Sequence, residues 1–350
     1  GRGGTVTSSG HAAETLVLFP LMAPGMEVIV SNKLYGGTIN LMGKSFRKFG
    51  WNAVFVDNDN PEAFRAAVTE KTRAIFVESL ANPGGVIVDL EAIAKIAQEA
   101  EVPLIVDNTM ATPWLCRPFE WGADLVVHST TKFLSGQGNA MGGIVIDSGR
   151  FPWFGNAKYP SLSEPSPDYN GLTFAETFGD LAFTLYSHAV SLRDLGCTQS
   201  PMNAWITLNG VETLPLRMER HVENAQKVAG FLQQHPSVEW VSYAGLSSSP
   251  YYQLAQKYLQ GKAGSVFTFG IRGGYESGLR LLEKVELFSH VSNIGDSRSL
   301  ILHPASTTHR QLSDEQRLTA GAGPEVIRLS VGIESAEDLI ADLEQALEGL

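Results

Sequence analysis

The stretch from residue 103 to residue 132, PLIVDNTMATPWLCRPFEWGADLVVHSTTK, contains two short apolar runs, at 104–106 and 125–127, each followed by polar side chains. Runs this rich in β-branched residues are typical of strands buried in a parallel sheet. The first 150 residues hold four similar runs, at 28–30, 53–56, 74–77 and 144–146. Helical patterns with an N-cap residue lie between some of them, at 61–68 after Asn60 and at 89–100 beginning with Asp89. This alternation predicts an α/β fold with helices on both faces of the sheet.

The pattern changes after residue 150. Residues 151–179 are rich in Pro, Ser and aromatic residues. They predict an ordered loop with four large aromatic side chains that are too apolar to leave in water: Trp153, Phe154, Tyr159 and Tyr169. Further along, the patterns predict helices at 181–195 and 203–235 (bent near Pro215), strands at 266–269 and 326–330, and a closing helix at 338–347. We therefore expect a large domain over residues 1–212 and a smaller α/β domain over residues 213–350.

The composition is that of a globular protein with an acidic balance. Of the 350 residues 43% are hydrophobic, and 26 basic against 37 acidic residues give a net charge of −11. No block of Lys and Arg occurs, which argues against nucleic acid or an anionic membrane as a partner. Cys116 and Cys197 have no CxxC spacing and the histidines form no HExxH motif. We therefore expect a reducing, cytoplasmic location and no metal site.

Reactive side chains follow the two runs quoted first. Open α/β sheets bind their ligands at the carboxyl ends of the strands, where Asp107 and Lys132 are expected. A lysine flanked by Ser129 and Thr131 is suited to form a Schiff base while the hydroxyls bind a phosphate. Asp107 would then keep a pyridine nitrogen protonated. The alternative is that Asp107 caps the next turn and that Lys132 is solvated.

A third element is the segment TSSGH at residues 7–11, which leads into a helical pattern from Ala12. Its backbone amides would lie at a helix N-terminus, which is suited to bind a phosphate. Taken alone, a Ser-Gly pair before a helix is more often a simple cap. The segment therefore indicates a phosphate site only when it is considered together with Asp107 and Lys132.

Six segments occur in the order of one enzyme family: SSGH (8–11), KLYGGT (33–38), ESLANP (78–83), VDNT (106–109), HSTTK (128–132) and RLSVGIE (328–334). Together, and over essentially the whole chain, they resemble the Cys/Met-metabolism family of pyridoxal-phosphate enzymes. The resemblance implies pyridoxal 5′-phosphate as the cofactor. It also implies the fold-type I architecture, like that of aspartate aminotransferase, with a mostly parallel sheet flanked by helices and a smaller C-terminal α/β domain.

The resemblance also implies roles for single residues. Lys132 would carry the cofactor and act as acid–base catalyst, Tyr35 would stack on the ring and share in catalysis, and Arg328 would bind the substrate carboxylate. The cofactor-binding set implied in this way is Ser9, Gly10, His11, Tyr35, Asn82, Asp107, Ser129, Thr131 and Lys132. The implied substrate-binding set is Arg328, Ser299 and Asn82.

Within the family the chain resembles the sulfhydrylases that use O-acetylhomoserine. The features are the insertion at 151–171, the segment NIGD at 293–296, and Gly37, where methionine γ-lyases have a cysteine. The resemblance implies γ-replacement, in which O-acetylhomoserine and sulfide give homocysteine and acetate for methionine biosynthesis, in a homotetramer with active sites at dimer interfaces. Gln137 and Arg310 depart from the pattern, where histidine and serine are usual.

Other interpretations remain open at this stage. A cystathionine γ-synthase or a γ-lyase would use the same cofactor on a related substrate. The segment GQGNAMG at 136–142 resembles a dinucleotide-binding loop, but it precedes a strand instead of joining a strand to a helix, which disfavours a nicotinamide-dependent oxidoreductase. A protein that only binds partners would not require Lys132, Asp107 and Arg328 together.

The start of the sequence differs from that of the family. Family members begin with an arm that carries a Tyr-x-Arg-x-x-Asn-Pro-Thr motif, and the motif does not occur in these 350 residues. In the family this arm reaches the cofactor phosphate of a neighbouring subunit. We expect the 350 residues to be part of a longer chain that includes such an arm, and the alternative is a truncated protein.

Overall fold

The computed structural model describes residues 1–81, 85–308, 310–311, 313–319 and 321–350. In this part of the chain the strands are β1 Gly3–Thr7, β2 Glu27–Ser31, β3 Asn52–Val56, β4 Thr72–Glu78, β5 Leu80–Ala81, β6 Val86–Ile87, β7 Leu104–Asp107, β8 Leu125–Ser129, β9 Gly143–Asp147, β10 Val238–Ser242, β11 Val266–Ile271, β12 Ser289–His290, β13 Leu300–Leu302 and β14 Val326–Ser330. The α-helices are α1 Gly10–Leu18, α2 Gly36–Asn40, α3 Pro61–Ala66, α4 Leu90–Glu99, α5 Thr112–Leu115, α6 Pro160–Ser163, α7 Phe174–Phe178, α8 Ala182–Tyr186, α9 Arg193–Leu195, α10 Pro201–Glu212, α11 Leu214–Gln234, α12 Tyr252–Tyr258, α13 Gly274–Lys284, α14 Asp314–Thr319 and α15 Ala336–Leu347.

A seven-stranded sheet has the order β1-β9-β8-β7-β4-β2-β3. The five strands from β8 to β3 pair in parallel. The strands β2, β4 and β7 are buried along almost their whole length, as strands covered on both faces must be. All six strands predicted in the first 150 residues belong to this sheet, and the predicted α/β class is confirmed.

One end of the sheet differs from the expectation. The run at 144–146 has the composition of a parallel strand, but β9 pairs antiparallel with both β8 and β1, so that part of the prediction is wrong. Residues 130–142, all of them described, join β8 to β9 without a helix, whereas a parallel pair is usually joined through one. β1 was not predicted, because its sequence GGTVT contains no apolar run and only its pairing with β9 makes it a strand.

Local capping explains where the predicted helices begin. Asn60 Oδ1 accepts a hydrogen bond from the Glu62 N–H at 3.1 Å, and Asp89 Oδ1 accepts one from the Ala92 N–H at 3.3 Å, which confirms both caps. The helix predicted at 203–235 is divided into α10 and α11 at Thr213, close to the expected bend. The helix predicted at 181–195 is not continuous, since a π-helical segment at Ser187–Leu192 separates α8 from α9.

The loop predicted at 151–179 contains the short helices α6 and α7. Trp153 and Tyr159 are buried, as expected, and their ring centroids lie 5.2 Å apart. Trp153 also stacks on Phe183, at 5.6 Å between centroids. Tyr169 is half-buried, whereas Phe154 is 68% exposed, so the expectation for Phe154 is wrong. The aromatic cluster thus includes only part of the predicted set.

The second sheet has the order β10-β11-β14-β13-β12 and is antiparallel except for the pair β12 and β13. The predicted strands at 266–269 and 326–330 are β11 and β14, which pair so that Thr268 lies opposite Arg328. Arg328 is thereby placed at the middle of a strand with paired neighbours on both sides.

The chain divides into two compact units. The first comprises Gly1–Ser79, Val88–Thr131 and Ala140–Leu208 and contains the seven-stranded sheet. The second comprises Leu80–Ile87, Lys132–Asn139 and Asn209–Leu350 and contains the five-stranded sheet. The division into domains at residues 212 and 213 stays a prediction.

Candidate active site

Polar groups meet at the carboxyl ends of the parallel strands β7 and β8. Asp107 is the last residue of β7, and its Oδ1 accepts a hydrogen bond from the Thr109 N–H at 2.8 Å. Ser129 is the last residue of β8, and its N–H donates to Thr109 Oγ1 at 2.8 Å. Thr109 therefore holds both strand ends. Burial raises the pKa of Asp107 to about 6, so its carboxyl is still mostly ionised at neutral pH.

The N-terminus of α1 lies against the end of β8. Ser9 is the N-cap residue, and its Oγ accepts a hydrogen bond from the Ala12 N–H at 3.1 Å. Gly10 is packed so tightly that a Cβ at this position would lie 2.8 Å from the Cβ of Ser129. The predicted phosphate-binding residues Ser9, Gly10 and Ser129 are therefore brought together. The main-chain amides of the first helical turn lie beside a serine hydroxyl, an arrangement that suits an anion.

An aromatic pair lies beside this helix start. The rings of His11 and Tyr35 are stacked, with 5.8 Å between centroids and 29° between planes. The Tyr35 N–H donates to Glu78 Oε1 at 2.6 Å, which holds its backbone, while its side chain is 52% exposed. Burial lowers the pKa of His11, which favours the neutral ring. Gly37 packs directly on the pair, because a Cβ there would lie 2.8 Å from the His11 ring and collide with the Tyr35 ring.

Thr131 is placed differently from the other predicted phosphate-binding residues. Its Oγ1 accepts a hydrogen bond from the Gly142 N–H at 3.1 Å and lies 3.2 Å from the Gly142 carbonyl oxygen. The hydroxyl thus ties the loop after β8 to the segment that enters β9. The role predicted for Thr131 in phosphate binding stays a prediction.

Sequence reasoning missed Glu14, a carboxyl on the buried face of α1 with only 3% of its surface exposed. Its Oε1 accepts a hydrogen bond from Thr38 Oγ1 at 2.7 Å. Burial, followed by the negative charge of Asp107, raises the pKa of Glu14 to about 8. Glu14 therefore stays largely protonated at neutral pH while Asp107 keeps the negative charge. The signal in the sequence is a single acid within an otherwise mostly apolar helical segment.

In the second unit, Lys132 and Arg328 both contact Asn293. Lys132 Nζ donates a hydrogen bond to Asn293 Oδ1 at 2.5 Å, and Arg328 Nη2 donates to the Asn293 carbonyl oxygen at 3.1 Å. Burial, followed by the positive charge of Arg328, lowers the pKa of Lys132 to about 8. In the sequence Asn293 is only one residue of the segment NIGD, and no local pattern relates it to Lys132 or Arg328.

Of the two other predicted substrate-binding residues, Ser299 and Asn82, the structure describes only Ser299. Ser299 is fully buried, and its Oγ donates to Glu334 Oε2 at 2.8 Å and accepts from the Gly332 N–H at 2.8 Å. Its N–H donates to Glu334 Oε1 at 2.6 Å, so Ser299 joins β13 to the segment after β14. Asn82 lies outside the described residues. Contact of either residue with substrate stays a prediction.

A family model for "Cys/Met metabolism PLP-dependent enzyme" matches residues 1–348. The chain belongs to this family. An O-acetyl-L-homoserine sulfhydrylase of Leptospira meyeri is 49% identical to it over 98% of this chain and 80% of the relative. O-acetyl-L-homoserine sulfhydrylase 1 of Thermus thermophilus is 48% identical over 99% of this chain and 83% of the relative. A crystal structure from Campylobacter jejuni, named as an O-acetylhomoserine (thiol)-lyase with a pyridoxyl-lysine phosphate, matches with a TM-score of 0.95 and 42% identity, over 99% of this chain and 82% of that one.

The family resemblance seen in the sequence is thereby confirmed, as are the fold-type I fold and pyridoxal phosphate as the cofactor. The polar residues of this chain fit pyridoxal phosphate. A helix N-terminus with Ser9 and Ser129 suits its phosphate, the buried carboxylate of Asp107 suits a protonated ring nitrogen, and the amine of Lys132 suits its aldehyde. Among the described residues no group of three or more metal-binding side chains occurs, and no helix there is long and apolar enough to cross a membrane.

Proposed function

We propose that this member of the family catalyses γ-replacement on O-acetylhomoserine, with sulfide as the second substrate and homocysteine and acetate as products. The observation that carries the proposal is the pair of contacts at Asn293, which place an amine of lowered pKa beside a guanidinium. The amine is suited to move a proton, and the guanidinium to bind an amino-acid carboxylate. The names of the two sulfhydrylase relatives support the choice of substrate.

The phosphate and the ring would be held by residues of the first unit. We assign the phosphate to Ser9, Gly10, His11, Ser129 and Thr131, of which Ser9, Gly10 and Ser129 lie together at the start of α1. Asp107 is assigned to the ring nitrogen, and Tyr35 to stacking on the ring and to catalysis. Asn82 is assigned to the cofactor and the substrate on the resemblance alone. Pyridoxal phosphate, when bound, supplies an electron-withdrawing ring that stabilises negative charge on the carbon beside the substrate amine.

Lys132 is assigned the proton transfers. Because its pKa is lowered to about 8, a useful fraction of the Nζ amine is neutral near neutral pH and accepts a proton from a substrate carbon. The same nitrogen then returns the proton. Arg328 would hold the α-carboxylate with two parallel hydrogen bonds, as a planar guanidinium can. Ser299, which directly precedes β13, is assigned to substrate binding on the resemblance alone.

We further propose a homotetramer with active sites at dimer interfaces, in the cytoplasm, serving methionine biosynthesis. An exposed apolar row on α10 supports assembly: Met202, Trp205 and Leu208 follow one another at intervals of three residues and are 61–65% exposed. Large side chains of this kind are usually covered by a partner. The two free cysteines, Cys116 and Cys197, are consistent with a reducing compartment.

One assay tests the reaction. The protein with pyridoxal phosphate is given O-acetyl-, O-succinyl- or O-phosphohomoserine, together with sulfide or cysteine, and the product is identified by mass. We expect homocysteine from the acetyl ester and sulfide as the fastest reaction. Faster formation of cystathionine than of homocysteine at equal thiol concentration would instead indicate a γ-synthase. Cleavage of methionine at a comparable rate would indicate a lyase.

A further inference from the structure

The loop that carries Asn293 is anchored on two sides within the second unit. The Gly295 N–H donates to Ser330 Oγ at 3.0 Å, two residues after Arg328 on β14. The Ser297 N–H donates to the Gly136 carbonyl oxygen at 2.9 Å, four residues after Lys132. Gly295 also lies against the backbone of Phe133, since a Cβ there would be 2.7 Å from the Phe133 nitrogen. The loop is therefore fixed to both segments that carry the proposed catalytic and carboxylate-binding groups.

The two ends of the Asn293 amide face different neighbours. Its amide Nδ2 lies against Gly138, where a Cβ would be 2.7 Å away, and Gly138 has a φ of +62°, which favours glycine. With Nδ2 facing this glycine, the other end of the amide, Oδ1, accepts the hydrogen bond from Lys132 Nζ. The carbonyl oxygen of the same residue accepts the hydrogen bond from Arg328 Nη2.

We propose that Asn293 is a positioning residue, whose side-chain oxygen holds the amine of Lys132 while its carbonyl oxygen holds the guanidinium of Arg328. A lysine side chain has four rotatable bonds, so an amine without a fixed partner samples many positions. A misplacement of about 1 Å at a reacting group can cost about a hundredfold in rate. One residue that contacts both groups sets the distance between the Lys132 amine and the Arg328 guanidinium that would bind the substrate carboxylate.

The inference rests on the proposed roles of Lys132 and Arg328, and its test distinguishes a failure of the inference from a failure of the proposed function. Pyridoxal phosphate is added to the cofactor-free full chain at a series of pH values, and the product is fixed with borohydride at timed intervals. The rate and the position of pyridoxyl-lysine formation are then read from peptide masses. The pH midpoint of this rate reports the protonation of the lysine amine independently of catalytic turnover.

Three variants are expected to move the pH midpoint upwards, downwards and hardly at all. Asn293→Asp places a carboxylate on the amine and should raise the midpoint by about one pH unit or more, because an opposite charge favours the ammonium form. Asn293→Ala removes an acceptor that favours the ammonium form and should lower the midpoint. Ser292→Asp, at the exposed neighbouring residue, adds the same charge without the contact and should move the midpoint by less than about 0.3 unit.

Activity provides a second measurement. Asn293→Ala keeps the carbonyl oxygen that binds Arg328, so kcat should fall about tenfold or more while KM changes by less than about threefold. Midpoints of Asn293→Asp and Asn293→Ala that both equal that of the unchanged protein would overturn the inference. If Asn293→Asp does not fold, the downward shift in Asn293→Ala decides alone. A pyridoxyl group on a lysine other than Lys132 would overturn the proposed function instead.

Discussion

Two adjacent glycines at the start of α2 offer a test of the aromatic pair beside the proposed cofactor site. A methyl group at Gly37 would collide with the Tyr35 ring and lie 2.8 Å from the His11 ring, whereas a methyl group at Gly36 would meet nothing within 4 Å. Neither glycine has a positive φ, so alanine is compatible with both backbones. Gly37→Ala should therefore break the stack, and Gly36→Ala should leave it intact.

The expected effects of Gly37→Ala on folding and on cofactor binding follow from the freedom of the Tyr35 side chain to move. The Tyr35 backbone is held by Glu78, but its side chain is 52% exposed and can swing away at little cost to folding. We expect both variants to unfold within about 2 °C of the unchanged protein, as for exposed substitutions. A stacked aromatic pair contributes about 0.5–1.5 kcal/mol, so Gly37→Ala should weaken pyridoxal-phosphate binding about 2- to 12-fold.

The assay is a titration of the cofactor-free protein with pyridoxal phosphate, followed by absorbance, beside a thermal unfolding curve of each variant. Gly36→Ala is the matched control, because it adds the same methyl group one residue away. Equal dissociation constants for Gly36→Ala and Gly37→Ala would refute the reasoning. A fall in unfolding temperature confined to Gly37→Ala would show that the pair supports folding instead of binding.

Three further predictions follow from the charged groups. Lys132→Ala should lower turnover by at least about 10²-fold, since the proton carrier is lost, and turnover above about 1% would contradict the assignment. Arg328→Ala should lower kcat/KM by the equivalent of about 2–5 kcal/mol of transition-state stabilisation, with little change in cofactor affinity. Arg328→Lys should recover little of this loss in kcat/KM, because an ammonium makes no bidentate contact. Loss of the cofactor in either variant would contradict this role. Glu14 has a pKa of about 8 in the folded chain against an ordinary value of 4.5, so its contribution to stability is retained below pH 4.5 and lost as the pH rises toward 8. Glu14→Gln should therefore gain in unfolding temperature relative to the unchanged protein between pH 5 and pH 8, and parallel curves for the two proteins over that range would contradict the assigned pKa.

Local features of the sequence were sufficient for much of the fold. The β-branched runs predict strands because a strand that is covered on both faces of its sheet has apolar side chains in succession, as in β2, β4 and β7. Asn60 and Asp89 predict helix starts because a cap bonds to an N–H only two or three residues away. The end of each strand is also a local property, which is why the sequence predicts Asp107 and Ser129 at the same edge of the sheet.

Tertiary structure alone decided what depends on residues far apart in the chain. Asn293 and Lys132 are 161 residues apart, and no periodicity or cap relates them. β1 is a strand only because β9 lies beside it, and β9 runs antiparallel to β8 because residues 130–142 join the two strands without a helix. Gly36 and Gly37 are the same residue type, and only the folded positions of the His11 and Tyr35 rings distinguish them. Sequence patterns report the burial and capping of a segment, whereas a contact between distant segments depends on how the whole chain packs.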